Sequence, residues 1–143
     1  MILYVDTSSL VKPYLDEQHA DEVIEWIETA EAVATSRVSY PEAASALARR
    51  HAAGHITRAH LRLSLDDLDG HWDEFLVVDL AERLAAELAV RHALRGFDAV
   101  HLAAAVLLRD AVGSDGLAFS SFDEELNRAA VSEGLIVLEP GDD

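Results

Sequence analysis

Four carboxylates sit at positions where solubility alone does not call for them. Asp6 ends the apolar run Ile2-Leu3-Tyr4-Val5, and Asp123 follows Leu117-Ala118-Phe119 after two serines. Asp98 opens the stretch Ala99–Leu108, in which His101 is the one polar residue, and Glu42 follows Ser39-Tyr40-Pro41. An acid directly after a buried strand lies at the carboxyl edge of a sheet, where open α/β folds take their ligands. Helix capping is the competing account, since Asp is a good N-cap and any carboxylate near a helix start gains from the dipole. Thr7, Ser8 and Ser9 are all competent caps beside Asp6, however, and Ser120 and Ser121 precede Asp123. Those two aspartates are surplus to capping. Glu42 is evenly balanced. Ser39-Tyr40-Pro41-Glu42 spells a capping box, yet Glu42 is the only acid among Arg37, Arg49, Arg50, Arg58 and Arg62. His101 shares a helical face with Asp98 and reads as a satisfied core histidine.

Three or four converging carboxylates without histidine or cysteine partners form an oxygen-only donor set, which suits Mg²⁺ or Mn²⁺. A dication so held fixes a water as hydroxide for in-line attack on a phosphodiester and neutralises charge on the leaving oxygen. The residues therefore point to metal-dependent phosphodiester chemistry. Other chemistries lack their parts. With no cysteine there is no thiol nucleophile, disulfide or Cys-based metal site. No G-x-G-x-x-G, P-loop or G-x-S-x-G sequence occurs, and the single lysine, Lys12, follows Val11. His51 and His55 have helical i, i+4 spacing, but Ala52 stands where a zinc protease carries glutamate. They are expected at an exposed helix end.

The elements that must position these acids follow from periodicity and punctuation. Strands are expected at Ile2–Val5, Ala32–Thr35, Phe75–Val78, Leu117–Phe119 and Leu135–Leu138. Between them fall a short helix carrying Leu10, Val11, Tyr14 and Leu15, and an amphipathic helix near residues 19–30. Others run from about Ser39 to Ala53, stopped by Gly54, and from Arg58 to Leu68. Asp79 is the expected cap of a helix carrying Leu80, Leu84 and Leu88, which Gly96 breaks. A nearly all-apolar helix covers Ala99–Leu108, and Asp123–Val131 is the last. Strands that are continuously apolar and alternate with helices indicate a parallel sheet covered on both faces. The expected architecture is one α/β domain with a mainly parallel sheet of about four to five strands.

The 143 residues are 50% hydrophobic with few prolines and glycines, a globular composition. The net charge of −16 argues against a general basic surface for nucleic acid. It is unevenly spread. Arg37 to Arg62 holds five arginines against one glutamate, while from Asp110 on nine acids face the lone Arg128. One basic surface on an acidic body is compatible with this, and so are arginines that merely solvate two helices. No membrane span or signal peptide is evident, so a cytoplasmic protein is expected.

Four blocks carry a resemblance. Tyr4-Val5-Asp6-Thr7-Ser8-Ser9-Leu10-Val11-Lys12, then Glu42 early in a helix, Phe97-Asp98-Ala99-Val100-His101-Leu102-Ala103 and Ser120-Ser121-Phe122-Asp123 resemble the ordered signature of PIN-domain ribonucleases, in particular the VapC-type toxins. The resemblance spans residues 1–143 as a single PIN-like domain. It implies a Mg²⁺- or Mn²⁺-dependent endoribonuclease cutting RNA, commonly a homodimer, held inactive by a cognate antitoxin protein whose basic segment enters the acidic site. Carried over, Asp6, Glu42, Asp98 and Asp123 are the metal-binding catalytic acids. Ser8 and Ser121 support them or touch a phosphate, position 121 being more often threonine in the family. Glu124 and Glu125 remain solvated helix-start charges. Two alternatives stay open: a phosphatase of the haloacid-dehalogenase type, in which a second aspartate would stand at Ser8, and a PIN-like module that binds RNA or protein without cutting.

Overall fold

The computed structural model describes residues 1–141. Strands β1 (Ile2–Val5), β2 (Ala32–Ser36), β3 (Leu76–Val78), β4 (Leu117–Ser120) and β5 (Ile136–Val137) form one sheet in the order β3-β2-β1-β4-β5. Every pairing is parallel. The chain starts at the central strand, moves out through β2 to β3, and returns to place β4 on the other side of β1. This reversal puts the topological switch point at the carboxyl ends of β1 and β4, the place where doubly wound sheets bind ligands. The register levels those ends, with Val5 opposite Ser120, and the Asp6 amide donates to the Ser120 carbonyl at 3.1 Å.

Alternation along the strands divides the core into two. Leu3, Val5, Val33 and Ala118 pack with Leu10, Val11, Leu15, Ala43, Leu47 and Leu68. These come from α1 (Thr7–Leu10), α2 (Lys12–Leu15) and Val11 between them, α4 (Ser39–Ala52) and α5 (Arg58–Trp72), with α3 (Ala20–Thr29) adding Trp26 and Ile27. On the opposite face Tyr4, Ala34, Leu117 and Phe119 meet α6 (Glu82–His92), α7 (Gly96–Val112) and α8 (Glu124–Ser132). The Tyr4 and Phe119 rings stack with centroids 5.6 Å apart. Helix α7 is buried along Ala99 and His101–Val106, and its alanines at 103–105 let it lie close to the sheet.

Element order follows the sequence expectation, while several ends differ for identifiable reasons. The single helix expected after Asp6 is two short ones parted at Val11, because Pro13 has no N–H for the carbonyl four residues back. Asp79 caps nothing. The Arg37 guanidinium takes its carboxylate at 2.8 Å, and α6 starts at Glu82 without a side-chain cap. Gly96 opens α7 instead of breaking α6, which ends at Ala93 in the left-handed region, φ 54°. Helix α5 runs on to Trp72, whose ring packs edge-on against Tyr40 and Phe75. Among the described residues no helix is long and apolar enough to cross a membrane.

Candidate active site

Asp6 leaves β1 in extended conformation and caps α1, its Oδ1 accepting the Ser9 amide at 3.0 Å. The same oxygen accepts the Ser8 hydroxyl at 2.7 Å, and Oδ2 accepts the Ser121 hydroxyl at 2.6 Å. Only 4% of the residue is exposed. The expectation that neighbouring hydroxyls free Asp6 from capping is thus corrected. They are engaged elsewhere: Thr7 on Glu42, Ser8 on Asp6, and Ser9 on Ser120 at 2.6 Å. Burial pushes the Asp6 carboxyl up, against hydrogen bonds from Ser121, Ser8 and the Ser9 amide that favour the ionised form.

Asp123 repeats the pattern. It caps α8, Oδ1 accepting the Leu126 amide at 2.9 Å, so neither Ser120 nor Ser121 takes that task. Ser121 Oγ accepts the Asp123 amide at 3.0 Å while donating to Asp6, and Ser8 Oγ accepts the Phe122 amide at 2.9 Å. Two serines therefore stitch the loop after β4 to the loop after β1. Asp98 lies in the first turn of α7 and caps nothing. Its Oδ2 is 3.4 Å from Arg95 Nε, and a terminal nitrogen of the same guanidinium is 3.4 Å from Asp123 Oδ2. Burial, then the negative charge of Asp123, pushes the Asp98 carboxyl up. Arg95 opposes this, and Asp6 adds to it.

Glu42 does not form a capping box. Helix α4 begins at Ser39, whose hydroxyl meets Thr35 Oγ at 2.7 Å, with Val38 at the cap position. Glu42 Oε1 instead accepts the Thr7 hydroxyl at 2.6 Å and lies 3.0 Å from His101 Nε2. His101 is a satisfied buried histidine as expected, its Nδ1 2.8 Å from Tyr4 Oη, but one of its partners is a site acid. Partial burial works to raise the Glu42 carboxyl. Hydrogen bonds from His101 and Thr7 outweigh it and hold the group below the usual carboxylate range.

The three aspartates thus share the carboxyl edge of β1 and β4, coupled electrostatically and through Arg95. Glu42 makes no hydrogen bond to them, but it lines one cleft of about 760 Å³ with Asp98, Arg95, Val38, Leu80 and the exposed Phe97. A neighbouring hollow is lined by Thr7, Ser8, Glu42 and Arg49. Among the described residues no three His, Cys, Asp or Glu side chains converge as a ready ligand cluster. In donor chemistry the residues fit a hard dication: all four are carboxylates, and a guanidinium already stands between Asp98 and Asp123.

Of the arginine-rich stretch, Arg37 pairs with Asp79 and Arg50 with Glu17 at 3.0 Å. Arg49, Arg58 and Arg62 are exposed without an ion pair among the described residues. His51 bonds the Ile56 carbonyl at the end of α4, consistent with a helix-end role. Sequence reasoning missed Thr7, Tyr4, Arg95 and Asn127, the last of which donates from Nδ2 to the Ser121 carbonyl at 2.8 Å. The surplus of hydroxyls behind Asp6 was itself a signal for Thr7. Tyr4 and His101, 97 positions apart, carry none.

Comparison with known proteins agrees with this geometry. A family profile described as PIN domain matches residues 3–132. Ribonuclease VapC45 of Mycobacterium tuberculosis (strain CDC 1551 / Oshkosh) is 34% identical over 139 residues, covering 95% of this chain and 94% of that protein. Ribonuclease VapC47 of the same strain is 31% identical over 144 residues, 98% of each. Among solved structures, PAE2754 from Pyrobaculum aerophilum superposes with a TM-score of 0.66 at 22% identity, covering 96% of this chain and 83% of that one. VapBC2 from Rickettsia felis, bound to a DNA fragment from its promoter, gives 0.63 at 14% identity, covering 96% and 98%. With its five parallel strands, its profile match over residues 3–132 and these relatives, the chain belongs to the PIN-domain family, in its VapC-type branch.

Proposed function

We propose that this chain is a Mg²⁺- or Mn²⁺-dependent endoribonuclease, the toxin of a toxin–antitoxin pair, with Asp6, Glu42, Asp98 and Asp123 as the metal-binding catalytic acids. The observation that carries this is the placing of three aspartates at the sheet's switch point, with Asp98 repelled by Asp123 and Asp6 and the Arg95 guanidinium standing between Asp98 and Asp123. When bound, the dication supplies a water activated for in-line attack and neutralises the leaving oxygen. The chain's own residues do the rest. Asp6 is immobilised by its three donors, so its carboxylate is preorganised instead of being recruited by substrate. Ser8 and Ser121 hold that carboxylate, and Arg49 lines the hollow beside Glu42, where an RNA phosphate would be drawn.

The curated relatives are ribonucleases of the VapC series, which supports RNA as substrate. Structural neighbours include VapBC2 and a toxin–antitoxin complex from Klebsiella pneumoniae, which supports a cognate antitoxin as partner; a homodimer is proposed as the working form. A basic antitoxin segment complements a chain of net charge −16, and such a pair would act in the cytoplasm. The phosphatase alternative is set aside with the family, since Ser8 occupies the place of its second aspartate. The non-catalytic alternative is separated by experiment. Wild type should cleave RNA with Mn²⁺ or Mg²⁺ and stop in EDTA, and Asp6→Asn should not cleave. Mn²⁺ should also raise the melting temperature of wild type more than that of Asp98→Asn. Cleavage that persists in EDTA, or wild type that binds RNA without cutting it under any metal, would remove the proposal.

A further inference from the structure

The deepest polar group beside the acids is not itself an acid. Tyr4 is fully buried, its hydroxyl included. The hydroxyl proton needs an acceptor, and the group within reach is His101 Nδ1 at 2.8 Å. An unsatisfied hydroxyl in that place would carry its whole desolvation cost. Accepting from Tyr4 leaves Nδ1 without a proton and puts the ring proton on Nε2. That nitrogen faces Glu42 Oε1 at 3.0 Å and Thr7 Oγ at 3.2 Å, while Thr7 donates to the same carboxylate oxygen at 2.6 Å. Oε1 is therefore gripped twice, and Oε2 has no hydrogen bond among the described residues.

We propose that His101 is the positioning residue for Glu42: held by Tyr4 as the Nε2–H tautomer, it donates to Oε1 together with Thr7 and so leaves Oε2 as the working oxygen. The inference rests on the nuclease reading for what Oε2 does, but the hydrogen-bond chain from Tyr4 through His101 to Glu42 stands apart from it. Reversing any link would undo the next. A histidine protonated on Nδ1 alone would strand the Tyr4 proton and turn a bare nitrogen lone pair toward a carboxylate.

Two measurements test this. The first is a ¹⁵N–¹H correlation of the histidine rings in the intact protein at neutral pH. It should show His101 protonated on Nε2 and bare on Nδ1, and Tyr4→Phe should shift the Nδ1 resonance as that nitrogen loses its donor. Protonation of Nδ1 in wild type overturns the inference. The second is RNA cleavage by His101→Gln and His101→Asn, each checked for folding by thermal melting. Glutamine places an amide N–H near the ring's Nε2 and reaches Glu42. Asparagine places one near Nδ1 and does not. His101→Asn should lose about 10–100-fold in cleavage, while His101→Gln keeps most of it. Equal losses in two equally folded variants would reduce His101 to packing. Should either variant fail to fold, the tautomer measurement on wild type and Tyr4→Phe decides. If wild type cleaves no RNA the nuclease reading fails, yet the ring assignment still accepts or rejects the chain of bonds.

Discussion

A carboxylate as deeply buried as Asp6 depends on its hydrogen-bond donors to favour the charged form against burial. Ser121 is the donor with two duties, giving its proton to Asp6 Oδ2 and accepting the Asp123 amide. Ser121→Ala orphans both partners and should cost about 1–3 kcal/mol in urea unfolding at pH 7. Ser121→Thr, which keeps the hydroxyl, should cost far less, and equal losses would mean that the bond to Asp6 contributes nothing. The sign with pH follows from the direction of the shift. Losing a donor raises the Asp6 carboxyl further, so the penalty is present where Asp6 is ionised and shrinks as pH falls below its already raised value. Asp98 gives the opposite experiment. Its carboxyl is pushed up by burial and by Asp123, so ionisation destabilises the metal-free fold above the ordinary value of 3.8. Asp98→Asn caps nothing away and should raise the melting temperature in EDTA by a few degrees at pH 7, an advantage that vanishes near pH 3. A variant melting below wild type at pH 7 would make Asp98 structural. At this scale the sequence showed the acids but not their holders. Asp6 and Asp123 were legible as strand-end carboxylates. Glu42 was ambiguous because its true partners, Thr7 and His101, lie 35 and 59 positions away.

The elements were legible in order because the strands are short apolar blocks between punctuation marks, and two-sided burial demands such blocks. Their ends were less so wherever a distant residue intervened. Arg37 removed Asp79 from the start of α6, 42 positions on, and aromatic packing extended α5 through Trp72. Two glycines show how local geometry decides what an element tolerates. Gly70 lies inside α5 with nothing within 4 Å of where a Cβ would stand. Gly70→Ala should therefore stabilise by about 0.5–1 kcal/mol, through helix propensity and a less flexible unfolded chain. At Gly116, where α7 turns into β4, a Cβ would meet the Val112 carbonyl oxygen at 2.9 Å and a Val112 methyl at 3.0 Å. The Gly116 carbonyl also accepts the Ile2 amide at 2.8 Å, so a shift there reaches the first residue of the central strand. Gly116→Ala should destabilise by about 1–3 kcal/mol. Chemical denaturation of the two variants, compared with wild type, should move the midpoint in opposite directions, and a shared direction would refute the packing account of Gly116.

For the whole molecule, binding RNA is a problem of sign, since a chain of net charge −16 repels a polyanion except where cations face it unpaired. The basic stretch from Arg37 to Arg62 was legible as a cluster, but its division was not, because the neutralising acids Glu17 and Asp79 come from other elements. What remains is Arg49 beside the Glu42 hollow, with Arg58 and Arg62 at the start of α5, which packs on α4. Each arginine that meets a phosphate releases about one condensed counterion from single-stranded RNA, giving a slope near −0.7 per contact in log affinity against log salt. Arg49→Ala with Arg62→Ala, measured in the Asp6→Asn background so that RNA stays intact, should make that slope shallower by about one to two units. Binding should weaken to a similar degree on unrelated RNA sequences, because phosphate contacts carry no base information. Arg37→Ala with Arg50→Ala removes the same formal charge from the chain but takes it from ion pairs, and should leave the slope nearly unchanged. That second pair is the control for net charge. If both pairs flatten the slope equally, overall charge governs the encounter and Arg49 makes no contact of its own; if neither does, RNA approaches the acidic edge by another surface.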